Sequence, residues 1–364
     1  SNGLIEARVL YDTIKDLPIL PKVATQIEEE VIMKSIFGTA AIEGNPLSEE
    51  DVDKIYKTSE EESVLHRGLL PKAVADALRK DLKAKQEIMN LKSAYNFVRE
   101  SSKHKFMLDE ILIKKIHRIV TADIEHPYNV PGRYRNHRVK VGDMEHGGTY
   151  TPPKILEDID TLMKELVRWI NSEDLLELDP VLRAALAHYH LALIHPFADG
   201  NGRTARLVEA VVLLSAGIKY APIMLSNFYY KNIDDYFWAF PNSIRNREKD
   251  VTPFLAFVIR GFTESNKEIK ERVIFHIRIL ALRDYYRFLR KGRNITQRQF
   301  DLLNILLGNP IPFTLKDLKE NTTFAILYRD VSERTARRDL KALHGRGLLL
   351  IDNNKYRLNY RVMG

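Results

Sequence analysis

The chain contains no cysteine in its 364 residues. It can therefore form no disulfide, zinc ribbon, cysteine-ligated iron–sulfur cluster or thiol nucleophile. Cysteine-free composition fits a reducing compartment, and a cytoplasmic location is expected. No stretch of eighteen uninterrupted apolar residues occurs, so no membrane-spanning helix and no membrane partner are expected. The opening segment, Ser1 to Glu6, lacks the basic and apolar regions of a secretory leader. There is no internal repeat and no low-complexity segment. Neither the P-loop pattern GxxxxGK[ST] nor the zinc-protease pattern HExxH is present.

What remains is an ordinary globular composition, 45% hydrophobic and 29% charged. Its length suggests two or three domains. Charge is unevenly placed. Fourteen of the 56 basic residues and seven of the 49 acidic ones lie from Lys291 onward, so the remaining 42 and 42 cancel. The whole net charge of +7 thus sits in the last fifth of the chain. A small basic domain on a neutral body points to an anionic partner, nucleic acid first, or to a merely solvated basic face.

The chain reads as mostly helix. Apolar spacing predicts helices over 22–41, 71–100, 109–122, 153–171 and 181–194, a short one after Ser48, another from Gly202 towards Gly217, and a long one over 254–290. Asp179-Pro180 is a start signal, and His195-Pro196 a stop. The alternation Val139-Lys140-Val141-Gly142, followed by His146-Gly147-Gly148, predicts a β-hairpin flap or a plain connecting loop.

The informative segment is His195-Pro196-Phe197-Ala198-Asp199-Gly200-Asn201-Gly202-Arg203-Thr204-Ala205-Arg206. It joins two helices and opens the second. Glycines there let backbone approach a ligand, and the free N–H groups of a helix start favour an anion such as phosphate. Arg203 and Arg206, three apart, can face one anion with forked guanidinium groups. Asp199 is a hard oxygen ligand suited to Mg²⁺ on a polyphosphate. His195 can act as a base near neutral pH. These types in this order point to phosphoryl or nucleotidyl transfer. His188 and His190, two apart on a helix, lie on different faces and do not suggest a shared metal.

This segment resembles the motif of the Fic family, H-x-F-x-[D/E]-G-N-G-R-x-x-R, at every specified position. Ala184 to His190, Val139 to Gly142 and Tyr150 to Pro153 are also similar to Fic sequences, over roughly residues 30 to 265. The resemblance implies a mainly α fold with a Fic-type helical core, transfer of AMP from ATP to a Ser, Thr or Tyr hydroxyl of a target protein, and a need for Mg²⁺. It implies that His195 is the base, that Asp199 holds Mg²⁺, and that Gly200, Asn201, Gly202 and Arg203 cradle phosphates, with Arg206 on the γ-phosphate. Phe197 would anchor the loop. Val139, Val141 and Gly142 would align the target. Tyr236 would contact adenine, and Asn242 and Asn246 compete as its companion, with Asn246 preferred.

Thr39-Ala40-Ala41-Ile42-Glu43-Gly44 is similar to the family's inhibitory motif. Glu43, at a helix end, would pair bidentately with Arg206 and occupy the γ-phosphate position, with Thr39 and Gly44 completing the motif. Whether the same glutamate supports removal of AMP stays open, as does a homodimer. Past Asn294 helices are expected over 296–307 and 314–320, and their order with a strand pair around Asn353-Asn354 looks like a winged helix. Its recognition helix would be Ser332–Gly345, with Arg334, Arg337, Arg338 and Lys341 toward DNA or, alternatively, a docking partner. The expected organisation is an N-terminal helical region over 1–105, a catalytic core over 106–265, a helical linker over 266–290 and a winged helix over 291–364. Two functions follow: an autoinhibited protein adenylyltransferase, or a DNA-binding regulator whose Fic core senses nucleotide or docks a partner.

Overall fold

Side-chain caps fix where the site-bearing helices begin. Asp179 accepts the Val181 N–H at 2.8 Å, with Pro180 in the first helical turn. Asp109 accepts the Leu112 N–H at 2.7 Å. Ser48 and Asp51 cap each other's backbone reciprocally. The computed structural model describes residues 2–15, 17, 19–57, 72–103, 107–244, 250–309, 311–320 and 322–363. The chain divides into two compact units, Ser1–Lys270 and Glu271–Gly364.

The first unit is helical. Its elements are α1 (Asn2–Lys15), α2 (Pro21–Ile42), α3 (Glu49–Lys57), α4 (Lys72–Ser101), α5 (Glu110–Val120), α6 (Leu156–Ile170), α7 (Glu173–Glu177), α8 (Pro180–Ile194), α9 (Asn201–Ser215), α10 (Ala221–Lys231) and α11 (Ile233–Ile244), followed by the start of α12 (Thr252–Lys291). Helix α9 is the centre. It packs against α8, α5, α4 and α10, and from Arg203 to Leu213 every residue is buried. A helix covered on all sides is apolar all round. Arg203, Arg206 and Glu209 are the charged exceptions, and each must find a partner inside the protein.

Helix α2 carries its last turn to α9 by lying on α10. Gly38 permits this approach: a Cβ there would stand 2.7 Å from the Ser226 carbonyl oxygen. The helix ends at Glu43. Gly44 follows at φ +82°, and the N–H groups of Gly44 and Asn45 close back on the carbonyls of Ala41 and Ala40 at 3.0 and 3.1 Å. This is a Schellman termination, and a side chain at Gly44 would be strained by that φ.

Three expectations need correction. The flap is no extended hairpin. It is a single antiparallel bridge between Val141 and Tyr150, and Val139 lies in no strand. Gly142, Gly147 and Gly148 all take positive φ, which bends the segment out of ladder geometry. Helices α1, α10 and α11 have no counterpart in the sequence reading. Helix α10 is buried from Ala221 to Tyr229, so its apolar residues show no period, and α11 contains Pro241. The helix expected over 314–320 is only α14 (Asp317–Glu320), with a separate α15 (Thr322–Tyr328) behind it.

The second unit begins within α12. It continues through α13 (Gln297–Gly308), α14, α15, α16 (Glu333–Gly345) and an antiparallel pair, β1 (Leu349–Asp352) and β2 (Lys355–Leu358), in register Leu349 to Leu358. Thr296 and Gln299 form a capping box on α13. Asn353 and Asn354 turn the strand pair at positive φ, as the dipeptide predicts. The core joins Leu282 and Tyr286 of α12 to Leu302, Tyr328, Leu340 and Leu349. Buried Asp339 accepts from Arg298 and Gln299. Among the described residues no helix is long and apolar enough to cross a membrane.

Gly38→Ala should destabilise the chain. Helix propensity alone would favour alanine by about 1 kcal/mol, but overpacking against fixed backbone costs about 1–3 kcal/mol. A net loss of up to about 2 kcal/mol in urea unfolding is expected. A stabilised variant would show that α2 is free to shift.

Candidate active site

The loop between α8 and α9 is bent by two left-handed residues, His195 at φ 50° and Gly200 at φ 75°. Positive φ is costly for histidine and persists only when surroundings enforce it. Arg135 does so. Its Nε donates to the His195 carbonyl at 2.7 Å and its Nη2 to the Ile194 carbonyl at 3.5 Å, while its own N–H donates to Pro196 at 2.9 Å.

Inside the loop, Asn201 bonds both ways to the Phe197 backbone: Oδ1 accepts the N–H at 2.9 Å and Nδ2 donates to the carbonyl at 2.8 Å. Its amide is thus committed to the turn, and only its backbone N–H is left for a phosphate cradle. Phe197 is fully buried and stacks on His117 at 3.6 Å. His117 accepts the Gly132 N–H at Nδ1, so Nε2 carries the proton and donates to the Asp199 carbonyl at 2.9 Å. Gly200 turns against Thr121, whose Cγ2 would stand 2.8 Å from an added Cβ.

His195 sits at the C-terminal end of α8, with Nδ1 donating to the Ala192 carbonyl at 3.3 Å. A carbonyl only accepts, so the proton is on Nδ1 and the Nε2 lone pair is unused by this contact. Burial brings its pKa down to about 4, against the Ala192 contact and with Arg135 adding to the depression. The imidazole is therefore neutral at pH 7, as a base must be. Asp199 is ionised. Burial opposes this, but Arg203, the Gly200 N–H and His126 outweigh it and hold the carboxyl below its usual value.

Arg203 donates to Asp199 at 2.9 Å and lies 3.8 Å from Glu87. Its Nε and Nη1 are buried without a hydrogen-bond partner, and so is Nε of Arg206. Arg206 is 2% exposed. Its Nη2 donates to the Glu43 carboxylate at 2.7 Å and to the Thr39 carbonyl at 3.2 Å, while Nη1 reaches the Tyr236 hydroxyl at 3.4 Å. The expected bidentate pair is thus a single-pronged bond, because the guanidinium is shared among three acceptors. Burial works against its charge, and Glu43 and Tyr236 more than offset that. Thr39 is itself buried, with its hydroxyl 3.1 Å from that of Tyr95.

One cavity of about 360 Å³ gathers Glu43, Val141, Gly142, His195, Gly202, Arg206 and Tyr236. Its far wall is apolar, formed by Phe240, Pro241 and Ile244. Val139 is not among the lining residues. Tyr236 is 3% exposed, its ring stacked on Tyr229 and its hydroxyl spent on Arg206 and His188. Asn246 lies outside the described residues. His188 and His190 are indeed apart, the first in the core and the second against Trp169. Arg334, Arg337, Arg338 and Lys341 belong to the second unit and are exposed on α16. Sequence reasoning missed Arg135, His117, Glu87 and Tyr95. Each acts through a contact distant in the chain, which no local pattern announces. Among the described residues no group of three or more His, Asp and Glu is placed to hold a metal alone.

His117, like His195, is brought down to about 4, chiefly by burial, whereas an unfolded imidazole titrates near 6.5. The unfolded chain then binds more protons between those values, so stability falls as pH drops from 6.5 towards 4. His117→Gln should flatten the melting-temperature profile across that window. An unchanged slope would show that His117 does not titrate with unfolding.

Comparison with known proteins bears on this geometry. Residues 107–213 match the Fic/DOC family. The chain is 32% identical over 194 residues to protein adenylyltransferase fic-1 of Caenorhabditis elegans, covering 52% of this chain and 33% of that protein. It is 29% identical over 249 residues to protein adenylyltransferase Fic of Culex quinquefasciatus, covering 68% of this chain and 43% of that one. The chain thus spans well under half the length of these relatives. Among solved structures, Fic-1 (residues 134–508) from C. elegans superposes with a TM-score of 0.57 at 25% identity, over 74% of this chain and 71% of that one. A Fic family protein from Desulfovibrio desulfuricans matches in fold with a TM-score of 0.57 at 17% identity, over 99% and 96% of the two chains. The loop that carries His195, Asp199, Arg203 and Arg206 therefore lies within the stretch that matches the Fic/DOC family, and protein adenylyltransferases are among the proteins to which the chain is similar.

Proposed function

We propose that this chain is an autoinhibited protein adenylyltransferase. The observation that carries the reading is the joining of a neutral, lone-pair-bearing His195 with Gly202 and Arg206 of α9 around one cavity. ATP is the co-substrate. The buried, unpartnered donors of Arg203 and Arg206 suit the oxygens of a polyphosphate, as do the free N–H groups at the start of α9. Asp199 would hold Mg²⁺ together with those phosphates, since Mg²⁺ commonly takes one or two carboxylates plus substrate oxygens. The ion would supply charge neutralisation.

In the proposed reaction a target Ser, Thr or Tyr hydroxyl enters beside the Val141–Gly142 segment. Nε2 of His195 takes its proton as the oxygen bonds to the α-phosphorus. The bond from that phosphorus to the bridging oxygen breaks, and pyrophosphate leaves. The backbone N–H groups of Gly200, Asn201 and Gly202 and the Arg203 guanidinium stabilise the developing charge. Arg206 holds the γ-phosphate. The apolar wall at Phe240 and Pro241 receives the base. Tyr236 supports Arg206 rather than stacking on adenine. Val141, bridged to Tyr150, offers the strand edge for alignment of the target by strand addition.

Glu43 is the brake in this reading. It takes the Arg206 donor that the γ-phosphate needs, and it stands against Gly202 at the helix start. The Glu43→Gly variant should raise transfer of label from α-labelled ATP to protein at least tenfold over the parent chain. Adding His195→Ala should reduce it again by about 10²–10⁴-fold. Equal labelling by parent and Glu43→Gly would refute the brake. Labelling that survives His195→Ala would refute the base.

A second reading rests on the other unit. We infer that α13 to β2 form a winged helix with α16 as recognition helix. In support, Arg334, Arg338 and Lys341 are exposed, opposite buried Ala336, Leu340 and Leu343. Arg337 is tied to Glu333 and is the weaker candidate for a DNA contact. The full chain should bind duplex DNA with salt-dependent affinity, and Arg334→Ala with Arg338→Ala should lower the salt slope by roughly one per residue. An unchanged slope would leave that face a protein-docking surface.

A further inference from the structure

Beside the site lies a buried chain of polar groups that the proposed reaction does not use. Glu209 follows Arg206 by one turn on α9, and its carboxylate is 1% exposed. The Tyr229 hydroxyl donates to Oε1 at 2.9 Å and to Oε2 at 3.0 Å. Nδ1 of His188 lies 3.0 Å from Oε2, and Nε2 of His188 lies 3.0 Å from the Tyr236 hydroxyl. That hydroxyl takes the Nη1 donor of Arg206 at 3.4 Å. All five side chains are buried.

Donor and acceptor rules fix the direction of this chain. A carboxylate only accepts, so His188 carries its proton on Nδ1. In the Nδ1–H tautomer Nε2 is an acceptor, and the Tyr236 hydroxyl donates to it. The Tyr236 oxygen is thereby left to accept from Arg206. Every bond runs one way, from Arg206 through Tyr236 and His188 to Glu209. Burial holds the Tyr236 phenol up at about 12, with Arg206 opposing, so it keeps the proton it donates. With the opposite tautomer, Nε2 would donate to Tyr236, and the phenol hydrogen would turn toward the guanidinium donors. Buried networks of this kind act as a unit.

We propose that Glu209 is a positioning residue of the nucleotide site: through His188 and Tyr236 it orients the Arg206 guanidinium that receives the terminal phosphate. The inference rests on the nucleotide-binding reading above. It explains why a carboxylate is kept deep in the core of a central helix. It also identifies what still holds Arg206 when Glu43 lets go: the Thr39 carbonyl on one nitrogen and this relay on the other.

The test uses the full chain with Glu43→Gly as the reference. Affinities for Mg·ATP and Mg·ADP are measured by calorimetry for the reference, for added Glu209→Gln, for added Tyr236→Phe, and for both together. Each single addition should weaken ATP about tenfold and leave ADP within about threefold, because only ATP places a phosphate on Arg206. The two together should do no more than Tyr236→Phe alone, since they cut one chain. Equal losses for both nucleotides, or additive losses, would overturn the relay and leave Glu209 a packing residue. A reference protein that binds neither nucleotide would sink the underlying reading first, and the relay with it. The imidazole nitrogen shifts of His188 in the unmodified chain give a check that needs no variant to fold. They should report the Nδ1–H tautomer; an Nε2–H tautomer would overturn the proposal.

Discussion

Three charges on one enclosed helix organise this protein. Arg203, Arg206 and Glu209 recur every third residue on α9, where water does not reach. A buried charge left alone is too costly to persist, so each draws a partner from another part of the chain. Arg203 takes Asp199 and stands near Glu87 of α4. Arg206 takes Glu43 and Thr39 of α2 and Tyr236 of α11. Glu209 takes His188 of α8 and Tyr229 of α10. The elements that wrap α9 are thus tied to it by polar contacts as well as by packing. Two of those partners, Glu43 and Tyr236, also line the cavity.

The two arginines differ from Glu209 in being incompletely satisfied. Each keeps at least one buried N–H without an acceptor. Such donors are expensive in a finished core and suited to a site that receives an anion. The turn after α2 is linked to both. Glu43 reaches Arg206 directly. Asn45, two residues on, donates to Glu87 at 2.8 Å, and Glu87 lies beside Arg203. The Schellman termination at Gly44 holds these residues in one rigid turn, so the α2 end addresses the two cations together.

His195 is positioned by strain held in place. His195 takes a left-handed conformation that Arg135 enforces by gripping consecutive carbonyls. Asn201 and the Phe197–His117 stack close the loop beneath it. Rigid support of this sort fixes the imidazole relative to the start of α9.

The helical class, the helix start at Asp109, the cap at Asp179, the hairpin turn at Asn353-Asn354 and the loop that joins two helices at residues 195–206 were all legible in the chain alone. Each depends on neighbours within a few residues, and local sterics and hydrogen bonding decide them wherever the segment is placed. The same reasoning gave the flap too much strand, because three glycines at positive φ overrode the Val-Lys-Val alternation. It missed α10, whose burial on every side erases the period that would announce it. It could not show that packing commits the Tyr236 hydroxyl to Arg206 and His188, or that the Asn201 side chain is held by its own loop. Arg135, His117, Glu87 and Glu209 carried no signal at all, since their partners lie from about twenty to more than a hundred residues away. Chain order set which chemical groups were available; only burial in three dimensions decided which of them had to pair, and with whom.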